Sequence, residues 1–293
     1  MKALANALRF IVFSNIFIAV CVLCFTIKTA LLMFHNAGSI HVNVLVFFAT
    51  LFLYGFHLMY HRSSMTPREH KEERHHWVDE HKYLHIGIVI VSFLISLSQM
   101  FYMPLRVWVV LIPVAIISMG YSVPIIKTKH GWIRFRDVAW LKVFWIGLCY
   151  AWLTTLLPLA YALGVRQWLN ADMLLMFLRN FLFVFAIAIP FDIRDIGFDK
   201  ERGNKTLPVI LGVDRAILLA NGLMLCFVVI VLFQCEFFNL NSAVAIALCL
   251  SVLISSFAIS MAKPNRPNLF FQLAIDSTMV VQFLLVLIAI RYF

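Results

Sequence analysis

The sequence predicts an all-α membrane protein, a bundle of about nine transmembrane helices, and three observations carry that prediction. Of the 293 residues, 63% are hydrophobic and only 13% charged, roughly half the charged share of an ordinary soluble domain. Apolar runs of the ~20 residues needed to cross a bilayer recur from residue 10 to residue 290. Basic residues, finally, crowd into alternate loops between those runs.

Taken in order, the first run covers 10–34. It is too long for a signal-peptide core and lacks a small-residue cleavage site, so it reads as a retained span. Further spans are expected at 40–60, 84–103, 107–126, 138–163, 171–191, 213–233, 241–262 and 269–290. The apolar stretch 84–126 counts as two because Pro104 and Arg106 interrupt it midway. No soluble-looking block separates the spans, so 1–293 reads as one membrane domain, with its longest polar loops at about 61–83 and 192–212.

Charge sets an expected orientation. Of the 24 Lys and Arg, 18 fall on the side shared by the N-terminus and those two long loops. Three (Arg106, Arg166, Arg291) fall on the other side, and Lys28, Lys142 and Arg179 lie inside spans. The bias predicts a cytoplasmic N-terminus, an outside C-terminus and residence in a cell inner membrane. It also accounts for the net charge of +10 without nucleic acid, which is not an expected partner; membrane lipid is. The six cysteines, including the lone Cys21-x-x-Cys24 pair, read as small core residues.

Chemistry concentrates after the sixth span, in Pro190-Phe191-Asp192-Ile193-Arg194-Asp195-Ile196-Gly197-Phe198-Asp199-Lys200 and onward to Arg202, Lys205 and Pro208. If the helix continues past Pro190, Asp192, Asp195 and Asp199 stand at i, i+3 and i+7, on one face. Like charges so placed repel, and a bound Mg²⁺, which takes carboxylate oxygens and keeps phosphate oxygens as partners, turns repulsion into coordination. Arg194, Lys200, Arg202 and Lys205 interleave with the acids and suit phosphate oxygens left free by the metal. The same residues also read as a solvated loop with paired charges.

Asp192-x-x-Asp195-x-x-x-Asp199-Lys200, then Gly203-x-Lys205-Thr206-Leu207-Pro208 and Gly212, resembles the second aspartate-rich motif of the UbiA superfamily of intramembrane prenyltransferases. Gly197-Phe198 departs from it, where the family typically has Glu-Gly. Tyr121-Ser122-x-Pro124 with Lys127, and Arg134 and Lys142 leading into the fifth span, are similar to further family tracts. The resemblance implies a UbiA-like helical bundle around a membrane-open cavity, where Mg²⁺ on two Asp-rich motifs holds a prenyl diphosphate. Asp192, Asp195 and Asp199 would be the catalytic and metal-holding carboxylates. Tyr121, Lys127, Arg134 and Lys142 would join the basic residues as substrate contacts, and an acceptor, possibly aromatic, would attack the first prenyl carbon.

The family's first motif should fall near Tyr54–Met65, and no Asp is there. His57 occupies its Asn position, and the carboxylate positions fall on or near Leu58, His61 and Met65. His57 and His61, one turn apart, suit a phosphate when protonated or a helix-end interface. The loop after them, with His70, His75, His76 and His81 among Glu and Asp, offers substitute metal ligands or a solvated amphipathic surface.

Polar groups inside spans call for partners, because exposure to lipid is expensive. Lys142 suits a diphosphate or a snorkel to the interface; Lys28 and Arg179 read as interface anchors. Asp276 is expected to face the bundle interior, and Asn15 to line the cavity or bond to another helix. The residues thus point to a prenyltransferase using Mg²⁺. The alternatives are a catalytically silent UbiA-fold binder of an isoprenoid, a quinone-like lipid or a partner protein, and a transporter, which broken mid-membrane helices would favour.

Overall fold

A computed structural model describes residues 2–293 except 63–72, 125, 129–130, 136–137, 139–140 and 164–169. Among the described residues eight helices are long and apolar enough to cross a membrane. They are α2 (Ile16–Phe34), α3 (Ile40–Arg62), α5 (Lys82–Met100), the α7–α8 pair (Leu141–Ala162), α9 (Ala171–Arg194), α12 (Val213–Phe238), α13 (Ser242–Ser260) and α14–α15 (Asn268–Tyr292). The remaining expected span, α6 (Leu105–Ser122), is apolar but shorter. Short helices α4 (Glu73–Glu80), α10 (Ile196–Glu201) and α11 (Leu207–Leu211) lie in the two long polar loops. Among the described residues, a small hairpin, β1 (Ile126–Thr128) antiparallel to β2 (Gly131–Ile133), is added to the expected all-α architecture.

One boundary differs from the sequence expectation. The apolar run 10–34 is broken at Ser14-Asn15 into α1 (Lys2–Phe13) and α2. Asn15 sits in the left-handed region at φ 70, which ends one helix and starts another in a new direction. Hydropathy is blind to such a break, because Asn contributes little to a window this apolar. α1 turns aside to pack Phe10 and Phe13 on Trp77 of α4.

The spanning helices close a ring: α2 packs on α3, α3 on α6, α6 on α7, α7 on α9, α9 on α12, α12 on α13, α13 on α15, and α15 back on α2. α5 packs outside the ring on α3. That contact is close at Gly55, where a Cβ would come 2.5 Å from Val89 Cγ2. Leu94, Leu218, Leu225, Leu253 and Phe257 are exposed around the outside. In water such an apolar belt would be an aggregation liability; in lipid it is the expected surface.

Lys28 and Arg179 are fully buried inside the bundle, which corrects their reading as interface anchors. Lys28 Nζ donates to Asn180 Oδ1 at 2.9 Å and Gln282 Oε1 at 2.7 Å, and lies 3.5 Å from the Phe25 ring centroid. Arg179 donates to Gln234 Oε1, and Gln234 donates to Asp172. These positions lie deep enough that the polar groups find partners on neighbouring helices rather than at the water interface.

Candidate active site

At one end of the ring a cavity of about 340 Å³ opens among α2, α3, α4, α6, α7, α9, α10 and α14–α15. Helix α9 does continue through Pro190, as the spacing argument required, and reaches Arg194. Asp195 caps it, its carbonyl accepting from Asp199 N, so α10 follows without a change of face. Asp192, Asp195 and Asp199 accordingly all line the cavity.

The three carboxylates have different surroundings. Asp192 is 1% exposed, with Lys142 Nζ 2.6 Å from its Oδ1. Asp195 is held two-pronged by Arg194, Nε to Oδ1 at 2.7 Å and Nη2 to Oδ2 at 3.0 Å, with Lys142 3.9 Å away. Asp199 Oδ1 accepts from Asn204 Nδ2 at 3.1 Å. Asp192 Oδ2 and Asp199 Oδ2 are buried without a hydrogen-bond partner among the described residues. Buried acceptors are normally satisfied. Oxygen-only donors with unmet lone pairs fit a hard cation such as Mg²⁺. No three His, Cys, Asp or Glu converge as a complete metal cage among the described residues.

Of the other residues singled out in the sequence, Arg194, Arg202, Lys142, His57, Tyr121, Asn15 and Asp276 line the same cavity. Lys200, Lys205 and Lys127 are exposed and Arg134 is half-buried, and none of these four lines it. The side chain of His61 lies outside the described residues, as do residues 63–72 and the side chain of His75 in the His-rich loop. Described members of that loop, His76, Asp79, Glu80 and His81, are exposed.

The structure adds residues that sequence reasoning missed. Arg74 of α4 reaches the cavity and donates to Asn15 Oδ1; nothing distinguished it within a loop full of charges. Tyr54 lines the cavity one turn before His57, and its hydroxyl meets that of Tyr150 at 2.5 Å. Gln272 lies four residues before Asp276, and both line the cavity from the last span; that spacing was available as a signal. Gln272 lies inside a π-helical turn, Phe271–Ile275, that Asp276 directly follows, and another such turn, Trp152–Leu156, comes just after Tyr150. Apolar wall is supplied by Ile18, Ile146, Val184, Ile187, Phe191 and Met279.

The fold has solved counterparts. A UbiA homolog from Archaeoglobus fulgidus bound to GPP and Mg²⁺ superposes with a TM-score of 0.63 at 16% identity, covering 96% of this chain and 99% of that one. Its form bound to DMAPP and Mg²⁺ gives 0.63 at 16% identity over 97% and 100%. An apo UbiA homolog from Aeropyrum pernix K1 gives 0.61 at 15% identity over 94% and 96%. No curated protein sequence matches the chain. The model of the UbiA prenyltransferase family matches residues 78–278, more than half of the chain. With the multi-pass membrane architecture and the position of Asp192, Asp195 and Asp199, that match identifies the chain as a member of the UbiA prenyltransferase family.

Proposed function

We propose that this protein transfers a prenyl group from a prenyl diphosphate to an acceptor within the membrane, assisted by Mg²⁺. The observation that carries the reading is the wall of three carboxylates, with Lys142 and Arg194 set among them, in a cavity that also has an apolar wall of Ile18, Ile146, Val184, Ile187, Phe191 and Met279. The Archaeoglobus fulgidus homolog of the same fold binds GPP or DMAPP with Mg²⁺.

Asp192 and Asp199 would hold the metal through their unmet oxygens, with Asp195 beside them. Bound there, Mg²⁺ supplies Lewis-acid stabilisation of charge on the departing diphosphate. Lys142 and Arg194, both mostly buried, add fixed positive charge where partial removal from water strengthens it. The prenyl tail lies along Ile146, Ile187, Phe191 and Met279, which bind hydrocarbon without needing polar partners. The carbon–oxygen bond at the first prenyl carbon breaks, its electron pair leaving with the diphosphate. The acceptor then bonds to that allylic carbon and gives up a proton. We place the cavity end of the bundle on the cytoplasmic side, which follows from the basic residues gathered there.

A second reading, a silent isoprenoid or lipid binder of the same fold, draws on one observation. The wall built by α2, α3, α4 and α6 presents His57, Leu58, Arg74 and Tyr121 and no carboxylate among the described lining residues. Pyrophosphate release decides between them. Purified protein given geranyl diphosphate, Mg²⁺ and a set of aromatic acceptors should release pyrophosphate, and Asp192→Asn and Asp195→Asn should each reduce release at least 100-fold. Binding with no release for any acceptor favours the silent binder; no Mg²⁺-dependent binding at all ends both readings of the site as a diphosphate pocket.

A further inference from the structure

Of the four carboxylates that line the cavity among the described residues, Asp276 stands apart from the α9–α10 wall. It comes from the last span, is 9% exposed, and no hydrogen bond or ion pair reaches its carboxylate among the described residues. Arg74 and Arg194 lie within electrostatic reach of it, so its charge is countered through space rather than consumed in a contact. Four residues earlier, Gln272 is 7% exposed, and its Oε1 is buried without a hydrogen-bond partner among the described residues. Buried acceptors are normally satisfied, and both of these side chains line the cavity.

The two groups share one chemical character. A carboxylate and an amide oxygen accept hydrogen bonds, so a molecule held against them must donate. A second anion beside Asp276 is repelled. Met279, one turn further along, belongs to the apolar wall that holds the prenyl tail. Tyr54 of α3 and Tyr150 of α7 also line the cavity within electrostatic reach of Asp276, and their hydroxyls bond to each other. Apolar and aromatic faces around a pair of acceptors suit a flat ring with a hydroxyl group.

We propose that Gln272 and Asp276 form the acceptor's subsite, that it takes an uncharged aromatic ring bearing a hydroxyl group, and that Asp276 receives the hydroxyl proton. The inference rests on the prenyl diphosphate reading above and adds the acceptor to it. As the hydroxyl proton passes to the carboxylate, a ring carbon bonds to the allylic carbon, and the carbon–oxygen bond to diphosphate breaks with its electron pair leaving on the diphosphate. The dienone so formed returns to a phenol by shifting the hydrogen at the new bond to its oxygen, and Asp276 afterwards gives its proton to solvent. Asp276 thereby acts as a general base.

The test uses the full-length protein in detergent micelles with Mg²⁺ and three probes built on one ring: 1-naphthol, its methyl ether and 4-hydroxy-1-naphthoate. Their binding is measured calorimetrically on protein saturated with the slow-reacting, sulfur-bridged analogue of geranyl diphosphate. 1-Naphthol should bind about 10-fold tighter than either of the others, and Asp276→Asn and Gln272→Leu should each weaken it several-fold. Asp276→Asn should leave geranyl diphosphate binding equal or tighter, because removing a negative charge near two cations does not loosen an anion. With geranyl diphosphate itself, Asp276→Asn should lower formation of prenylated naphthol about 100-fold or more.

The subsite is overturned if 1-naphthol binds no better than its ether, or less well than 4-hydroxy-1-naphthoate. The base is overturned if Asp276→Asn prenylates 1-naphthol at the wild-type rate, or if wild type binds 1-naphthol and never prenylates it. Diphosphate binding that falls as far as naphthol binding in Asp276→Asn overturns both, since a structural or metal-holding role produces that result. Should Asp276→Asn fail to fold, Gln272→Leu must weaken naphthol more than diphosphate, and Asp276→Glu must slow transfer while keeping the preference for the free hydroxyl, for the proposal to stand. Failure of wild type to bind geranyl diphosphate with Mg²⁺ instead overturns the prenyl diphosphate reading itself.

Discussion

Lys142 Nζ lies 2.6 Å from Asp192 Oδ1, joining the first turn of α7 to the last turn of α9 through a pair exposed by only 13% and 1%. Breaking one side of such a pair leaves the other charge buried alone, which costs about 3–5 kcal/mol, whereas removing both sides together is far milder. Lys142→Met is therefore expected to lower the unfolding midpoint sharply, and Lys142→Met combined with Asp192→Asn to recover most of the loss. Thermal unfolding of single and double variants in one detergent checks this; a Lys142→Met protein as stable as wild type would refute it.

A second polar centre lies away from the cavity. Lys28 ties α2 to Asn180 on α9 and Gln282 on α15. Lys28→Met strips the donor from two buried carbonyl oxygens and is expected to destabilise by about 2–4 kcal/mol, while diphosphate binding per folded molecule stays at the wild-type value. Asn180→Leu should be at least as damaging, because Asn180 also donates to Thr29 and Thr155. Unfolding measurements that find Lys28→Met neutral would mean the buried ammonium gains nothing from its partners.

Gly55 tests the α3–α5 contact. Gly55→Ala sets a new methyl 2.5 Å from Val89 Cγ2, and overpacking of this kind costs about 1–3 kcal/mol. Val89→Ala in the same chain should relieve the clash. If the double variant is no more stable than Gly55→Ala alone, the contact is not as close as described.

Asn15 separates backbone from side chain. Both Asn15→Ala and Asn15→Gly remove the carboxamide, but alanine pays about 1–2 kcal/mol for the left-handed conformation and glycine does not. The glycine variant should be the more stable of the two by that margin. Equal unfolding midpoints would show that the helix break does not depend on φ at this position.

The helices were legible because bilayer thickness imposes one length on every span, and run length alone reads it. The carboxylate wall was legible as well, since Asp192, Asp195 and Asp199 keep helical spacing through Pro190 and Asp195. What escaped depends on contacts between distant segments. Arg74 gained meaning only when α4 was seen against the α1–α2 break, 59 residues away in the chain. Lys28 and Arg179 were misread because a lone cation in an apolar run looks the same whether it reaches for the interface or for Asn180 and Gln234. Lys200 and Lys205 share the motif's charge pattern, yet Lys200 on α10 and Lys205 beyond it are both exposed and outside the cavity.

The wide turn at Phe271–Ile275 has a geometric effect on the last span. Along an α-helix, residues four apart overshoot a full turn by about 40°, so a file of polar groups at every fourth position would drift away from its target. A π turn accommodates one residue more per loop, which brings Asn268, Gln272 and Asp276 into one line along the cavity. Beyond it, ordinary α winding resumes and delivers Gln282 to Lys28. One helix thereby serves two polar centres whose spacings follow different periods. Deleting a single residue from this turn would rotate one half of the span about 100° against the other, uncoupling the cavity from the Lys28 centre while leaving hydropathy almost unchanged.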